Sequence, residues 1–470
     1  MIGNDLNFGG WPNLKNTQQT IATDNITKNR TFGLFGNLNL SYKNFIFLGT
    51  TVRKDIVSSM PRDNRSFVYP SVSLALVLTE LEALKGNSTI SFAKLRGSWG
   101  EVGQAGTYLA NYYSVPTYGG GFWQNSPVNY PLGGINSYTP NNVMYDPNLK
   151  PQNTRSYEVG GELRLFKNLI SVDYTFSRQD VIDQIFSVPL AGSTGASNLV
   201  MNGGKIHTNS HELLVSVIPI KTDNFEWTIS ANYTQIDNYV DELKAGVPNI
   251  FLGGFTTPQI RASIGERFPV IYGTAFARDD KENIIVDANG LALAGETKSL
   301  GEVAPKFNLG GTTSFRYKKL TLAATFDWKN GGKMYSGTNS LLDTYGLSTK
   351  TGNRDELIIQ EGVTESGAVN TIGATKQATY TRYSNIAETA IYDASFVKLR
   401  ELSLGYTMPQ FSKGLDIRLS AFARNILLSS KMPNLDPESS QGNNNIAGGF
   451  ERLSIPQTTS FGVGMNLTIN

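Results

Sequence analysis

The chain carries two imidazoles, His207 and His211, among its 470 residues. At i and i+4 on an alternating segment they share one face of a strand. That spacing suits either two contacts to a metal or two polar residues in a lumen or near a loop. No third ligand is identifiable beside them. A Ser-His-acid triad has little support. The absence of Cys excludes a disulfide framework, CxxC redox chemistry and thiolate metal sites. The segment ARDDKENIIVDANG (277–290) gathers Asp279, Asp280, Glu282, Asp287 and Asn289. Oxygen-rich loops of this kind hold calcium, although the spacing is not that of an EF-hand. The same residues make a hairpin turning at Asn289-Gly290. Asn434, Asp436 and Glu438, shaped by Pro433 and Pro437, read as a turn. The triplet GGG (119–121) is followed by no Lys-Ser/Thr and is not a phosphate loop. Ring chemistry is densest in 103–153, with Tyr112, Tyr113, Tyr118, Trp123 and Tyr130 beside Asn and Gln. Flat aromatic faces stack on sugars and on peptides, and they also pack folded loops. These five rings are the expected substrate contacts.

The elements that must hold these groups are written in period-2 alternation. In 225–234, Phe225, Trp227, Ile229, Ala231 and Tyr233 oppose Glu226, Thr228, Ser230, Asn232 and Thr234. In 320–329, Leu320, Leu322, Ala324, Phe326 and Trp328 oppose Thr321, Ala323, Thr325, Asp327 and Lys329. In 459–469, Phe461, Val463, Met465, Leu467 and Ile469 oppose Ser460, Gly462, Gly464, Asn466 and Thr468. One strand breaks parity: Val397 and Leu399 are odd, whereas Leu402, Leu404 and Tyr406 are even. A bulge near Arg400-Glu401 restores a single apolar face. Strands of about 10–13 residues are long for a soluble sheet and suit a tilted bilayer span.

Composition agrees. Charged residues are 17%, aromatics 11% and glycines 47, which is too aromatic and too weakly charged for disorder. There is no apolar run long enough for a spanning helix. A net charge of +2 supplies no field for nucleic acid. Thirteen strands are expected, near 32–42, 45–56, 67–79, 91–102, 154–166, 169–179, 206–218, 225–238, 304–316, 320–330, 396–407, 414–425 and 457–468. Short gaps alternate with long loops at 103–153, 180–205, 239–303, 331–395 and 426–456. Short turns on one side and long loops on the other are the layout of an outer-membrane barrel. Charges on the polar parity, such as Asp173, Glu226, Asp327 and Arg418, then face the lumen.

If the last strand ends in the periplasm, an odd count starts the chain outside. Residues 1–31 then read as an extracellular loop remnant and 32–470 as barrel. Met1 is followed by neither a basic nor an apolar leader segment, so no signal peptide is expected in this chain. Both features suggest the C-terminal part of a longer protein.

Several segments resemble the SusC/RagA family of TonB-linked outer-membrane nutrient transporters. They are FGLFGNLNLSYKNFIFLGTTVRKDI (32–56), YPSVSLALVLTE (69–80), ISFAKLRGSWGEVGQAG (90–106), the hairpin and loop of 147–195, MNGGKIHTNSHELLVSV (201–217), ASFVKLRELSLGYTMP (394–409), RNILLSSKMPNLDPESS (424–440) and SIPQTTSFGVGMNLTIN (454–470). They run in family order over about 30–470. The resemblance implies an all-β transmembrane antiparallel β-barrel, here the C-terminal part of a 22-stranded barrel of the TonB-dependent-receptor type without its plug domain. It implies glycan or peptide uptake without enzymatic activity and without a cofactor; a structural calcium is expected only from the oxygen-rich loop at 277–290. The implied partners are a SusD-like surface lipoprotein over the extracellular loops, TonB through a missing N-terminal region, and outer-membrane lipid. A passive porin-like channel and a surface-binding barrel without energy coupling are the alternatives.

Overall fold

The computed structural model describes residues 2–469 apart from 8, 11–12, 22–27, 109–112, 115–120, 124–125, 128–138, 141, 245, 409–414 and 443–446. Its centre is one 13-stranded antiparallel sheet in which neighbours in sequence are neighbours in space. The strands are β1 (Thr31–Tyr42), β2 (Ile46–Val57), β3 (Ser66–Val77), β4 (Ile90–Gln104), β5 (Gln152–Leu165), β6 (Ile170–Ile182), β7 (Gly204–Lys221), β8 (Phe225–Leu243), β9 (Phe307–Tyr317), β10 (Leu320–Asn330), β11 (Phe396–Thr407), β12 (Leu415–Ser430) and β13 (Ser460–Ile469). The expected strands are all present. β8 runs five residues further toward the long loops than the alternation indicated, and β7 gains two residues at that end and three at the short-turn end. Their ladder continues from His207-Tyr239 to Gly204-Leu243, where polar residues end the apolar signal but not the hydrogen bonding.

Tight turns close the short-loop end. Lys43 and Asn44 adopt φ of 48° and 53°, the left-handed pair that matches hairpin twist. The register along β11 shifts between Leu399 and Glu401 against both β10 and β12. The expected bulge is therefore present, and it leaves Arg400 as the extra residue opposite β10.

The two faces of the sheet differ as a lipid barrel requires. Outward side chains are apolar and exposed, from Phe32, Leu34 and Leu38 on β1 to Phe461, Val463 and Ile469 on β13; Val463 is 87% exposed. In water this surface would be an extensive aggregation-prone patch. In a bilayer it is the solvated face. Aromatic rings band both ends. Trp227 stacks on Phe315 at 5.4 Å near the short turns, and Phe307 meets Trp328 edge-on at 5.0 Å near the long loops. From Phe225 to Tyr233 the strand rises about 26 Å, which a tilt of about 40° reduces to roughly 20 Å of membrane depth, near the apolar band of about 25 Å.

The polar parity lines two large cavities, of about 630 and 640 Å³. Several of its charges are paired across strands. Arg96 donates to Asp173 at 3.0 Å and to Thr175, and Arg316 donates to Glu226 at 3.3 Å. Gly160 lies where a Cβ would stand 2.9 Å from Arg96 Nε, so its missing side chain lets the guanidinium cross β5 to reach Asp173.

The buried apolar core lies at the long-loop end, not between strands. Phe186, Ile206, Val240, Ile250 and Ala262 form one cluster, Ile260, Ile271 and Phe450 a second, and Met334, Ala394 and Met432 a third. The loops carry their own small sheets. Asn249–Gly254, Gln259–Ser263, Val270–Phe276 and Ala294–Glu302 form four strands, and Lys333–Ser336 joins Ile391–Asp393 and Phe450–Glu451. Two helices, α1 (Gly337–Thr344) and α2 (Lys376–Tyr383), are capped by the hydroxyls of Ser336 and Thr375. Arg267, nearly buried, ties this cap to the wall through Asp237 at 2.9 Å, Glu302 at 2.8 Å and the carbonyl of Ile236. Separately, Ile2–Leu6 and Thr17–Ile21 pair as a hairpin outside the large sheet.

Candidate functional site

The site is built where β8 to β11 meet the cap from inside. On β10 the lumenal parity ends in Asp327 and Lys329. On β11 it presents Lys398, and the bulge re-aims Arg400 to the same side. The loop after β12 then folds back. Asp436 accepts from Lys398 Nζ at 2.8 and 2.7 Å, and Glu438 accepts from both Lys398 and Arg400. Arg400 also donates to Asp327, through Nε at 3.1 Å. Lys398 and Asp436 are 3% and 7% exposed at their side chains. A buried pair with saturated hydrogen bonds fixes geometry more than it stabilises. Here it fixes the loop against the wall.

Beside this network opens a cavity of about 640 Å³. Thr234, Asn238, Asn308, Lys329, Phe307, Phe396 and Glu438 are among the residues that line it. Its wall follows from the register: Thr234 pairs with Asn308, Asn308 with Lys329, and Lys329 with Phe396. It combines apolar rings with a few polar groups, the usual make-up of a small-solute site. A second cavity of about 630 Å³ lies on the lumenal face of β1 to β6, along Asn39, Gly49, Ser73, Ser98 and Glu158.

Glu438 titrates unusually. Burial alone would raise its pKa, but hydrogen bonds from Arg400 and Lys398, with their charges, bring it down to about 2. A depressed carboxylate adds stability that is complete above its ordinary pKa of about 4.5 and is lost as pH falls through the folded value of about 2. The thermal midpoint of the protein in detergent is therefore expected to hold down to about pH 4.5 and to fall between there and about pH 2. Glu438→Gln should flatten that segment of the profile. An unchanged profile in Glu438→Gln would count against the contact.

The residues singled out from the sequence fall in three places. Tyr112, Tyr118 and Tyr130 lie outside the described residues. Tyr113 lies in a two-residue strand paired with Thr139–Pro140, and Trp123 lies in Gly121–Trp123, paired with Ser126–Pro127. His207 and His211 sit on the outward parity, not in the lumen. His211 stands opposite Phe176 and bonds the Tyr174 hydroxyl at 2.8 Å through Nδ1. His207 Nδ1 bonds Asp241 at 2.6 Å. The two imidazoles thus have separate partners.

In 277–290, the Asp279 carboxylate accepts from the backbone of Lys281 and Asn283 and from the Asn283 amide. These bonds, the Asn283 side chain first, hold its pKa down. Asp287 accepts from the backbone of Asn289 and Leu291 and from Arg382. Gly290, at φ 73°, makes the turn.

The network of Asp327, Lys398, Arg400, Asp436 and Glu438 escaped the sequence reading. Its signal was two cations on the polar parity of β11 and an acidic turn one strand later.

The family model described as TonB-dependent receptor-like β-barrel matches residues 3–426. The chain belongs to this family. Among relatives, TonB-dependent receptor P3 of Formosa agariphila is 24% identical over 469 residues, covering 92% of this chain and 45% of that protein. TonB-dependent receptor SusC of Bacteroides thetaiotaomicron is 24% identical over 465 residues, covering 94% and 44%. Among solved structures, the RagAB peptide importer in its closed-closed state superposes with a TM-score of 0.72 at 18% identity, covering 93% of this chain and 48% of that one. The chain thus spans less than half the length of these proteins. The resemblance to SusC and RagA stated from the motifs is borne out, as is the TonB-dependent-receptor type of barrel sheet. Family and fold imply an outer-membrane location.

Proposed function

We propose that this chain forms the C-terminal barrel portion of a SusC-like outer-membrane transporter for glycan or peptide oligomers, energised through TonB. The observation that carries this reading is the cavity of about 640 Å³ under a folded loop cap on the lumenal face of a TonB-dependent-receptor barrel sheet. That is where a solute entering from outside would rest. Edge chemistry supports the reading of the chain as one part of a larger barrel. Among the described residues, β1 and β13 each pair on one side only. Lipid offers no partner to an open edge, so further strands would close the sheet. In this reading residues 1–31 belong to an extracellular loop, and Tyr112, Tyr113, Tyr118, Trp123 and Tyr130 contact the oligomer as it enters. A SusD-type surface lipoprotein would cover the cap, where Tyr345, Leu347, Leu357, Ile359 and Val369 are exposed.

The test is uptake of labelled oligosaccharides and oligopeptides by cells bearing the full-length protein, with TonB present or deleted. The expected result is uptake of one class that falls to background without TonB. Uptake that persists would support the passive channel. Surface binding without uptake in either strain would support the adhesive barrel.

A further inference from the structure

The cavity under the cap contains a cation that feels the charges of Glu438 and Asp327 but, among the described residues, makes no direct ion pair or hydrogen bond with its walls. Lys329 lies half-buried at the end of the lumenal row Thr234, Asn308, Lys329 and Phe396. Every carboxylate around it already accepts charged hydrogen bonds. Asp327 takes Arg400, Asp436 takes Lys398, and Glu438 takes both. Among the described residues, no hydrogen bond or ion pair reaches the Lys329 ammonium. An ammonium has three donors and no acceptor, and removing it from water without a partner is costly. The neighbouring Lys398 shows how the same fold treats a structural lysine, holding it between two carboxylates.

A second group on the same cavity is also unanswered, with the opposite polarity. Asn238 Oδ1 is buried and receives no hydrogen bond among the described residues. Phe268 and Phe396 supply apolar surface to the space between. A complementary solute therefore has an anionic acceptor, a nearby N–H or O–H donor, and an apolar face.

We propose that this cavity binds carboxylate-bearing solutes, with the carboxylate on Lys329 and a neighbouring donor on Asn238 Oδ1. The inference rests on the transporter reading for the path of the solute, but the binding itself needs no energy source. A carboxylate in this position would make charge-assisted bonds. Acidic peptides and acidic oligosaccharides share that chemistry, and the experiment separates them.

Isothermal titration of the full-length protein in detergent is run with triglutamate against triglutamine, and with trigalacturonate against its methyl ester. We expect at least one acid to bind about tenfold or more tightly than its neutral counterpart. The acid that does so identifies the source. Lys329→Gln should abolish the preference and Lys329→Arg should keep it. Asn238→Ala should weaken the acid and its neutral form alike. Unchanged heat-modifiable mobility on electrophoresis checks that each variant is folded. Equal binding of acid and neutral forms, no binding of either acid, or a preference that survives Lys329→Gln would overturn the proposal. TonB-dependent uptake of a neutral oligomer by Lys329→Gln would leave the transporter reading standing whichever way the titration falls.

Discussion

Ala324→Arg is expected to destabilise the protein in lipid by about 2–4 kcal/mol, and Ala323→Arg by well under half of that. The residues are identical in type and adjacent in sequence. They differ only in the face of β10 they occupy. Ala324 shares the outward face with Leu322 and Phe326 and pairs with Thr313 and Leu402. It lies midway between Leu320, which pairs with Tyr317 and Tyr406 at the short-turn end, and Trp328 at the long-loop end, so an arginine there meets the hydrocarbon midplane. Ala323 pairs with Ser314 and Ser403 on the lumenal face, where the guanidinium meets polar neighbours. Equilibrium unfolding in lipid vesicles reads both. Equal costs would mean that the two faces see the same solvent.

Lys398→Ala should cost about 3–5 kcal/mol, the usual penalty for leaving a buried charge without its partner. The loss would come from Asp436, 7% exposed, which among the described residues keeps only the backbone N–H of Glu438 as a donor. Glu438 retains Arg400. Adding Asp436→Asn to Lys398→Ala should recover part of the loss, because the orphaned charge is gone. A double-mutant cycle measures that coupling. A coupling near zero would show that the loop after β12 is held by its apolar contacts at Met432 and Leu435 and not by the ion pair.

These two effects separate what could be read in the sequence from what could not. Lipid on one side and a wet lumen on the other impose period 2 on every spanning residue, so β10 and β13 were visible as alternation. Even the Arg400 bulge was visible, because it breaks the parity of an apolar stripe. The extra length of β7 and β8 was not, since above the bilayer the outward residues are His207, Asn209, Asp237 and Tyr239 and carry no hydrophobic signal. The acidic turn at Asp436 and Glu438 was recognised as a turn. Lys398 lies 38 residues from Asp436, and Asp327 lies 73 residues from Arg400, and no local pattern encodes such a meeting. The same limit hid the cavity at Lys329, whose walls come from β8, β9, β10 and the cap. For His207 and His211 the sequence left a lumenal and a loop-proximal placement open; they lie toward the long loops on the outer face, where they bond Asp241 and Tyr174.

The most direct measurement is spin-label accessibility along β10 and β11 of the full-length protein in lipid. The chain has no Cys, so each label can be placed singly in this region. Collision with dissolved oxygen should be high and collision with a polar nickel reagent low at 322, 324 and 326, with the reverse at 321, 323 and 325. On β11 the lipid phase should fall on 397 and 399, then change parity across Arg400 to 402 and 404. Accessibility without period 2, or alternation that passes Arg400 without changing parity, would contradict the barrel.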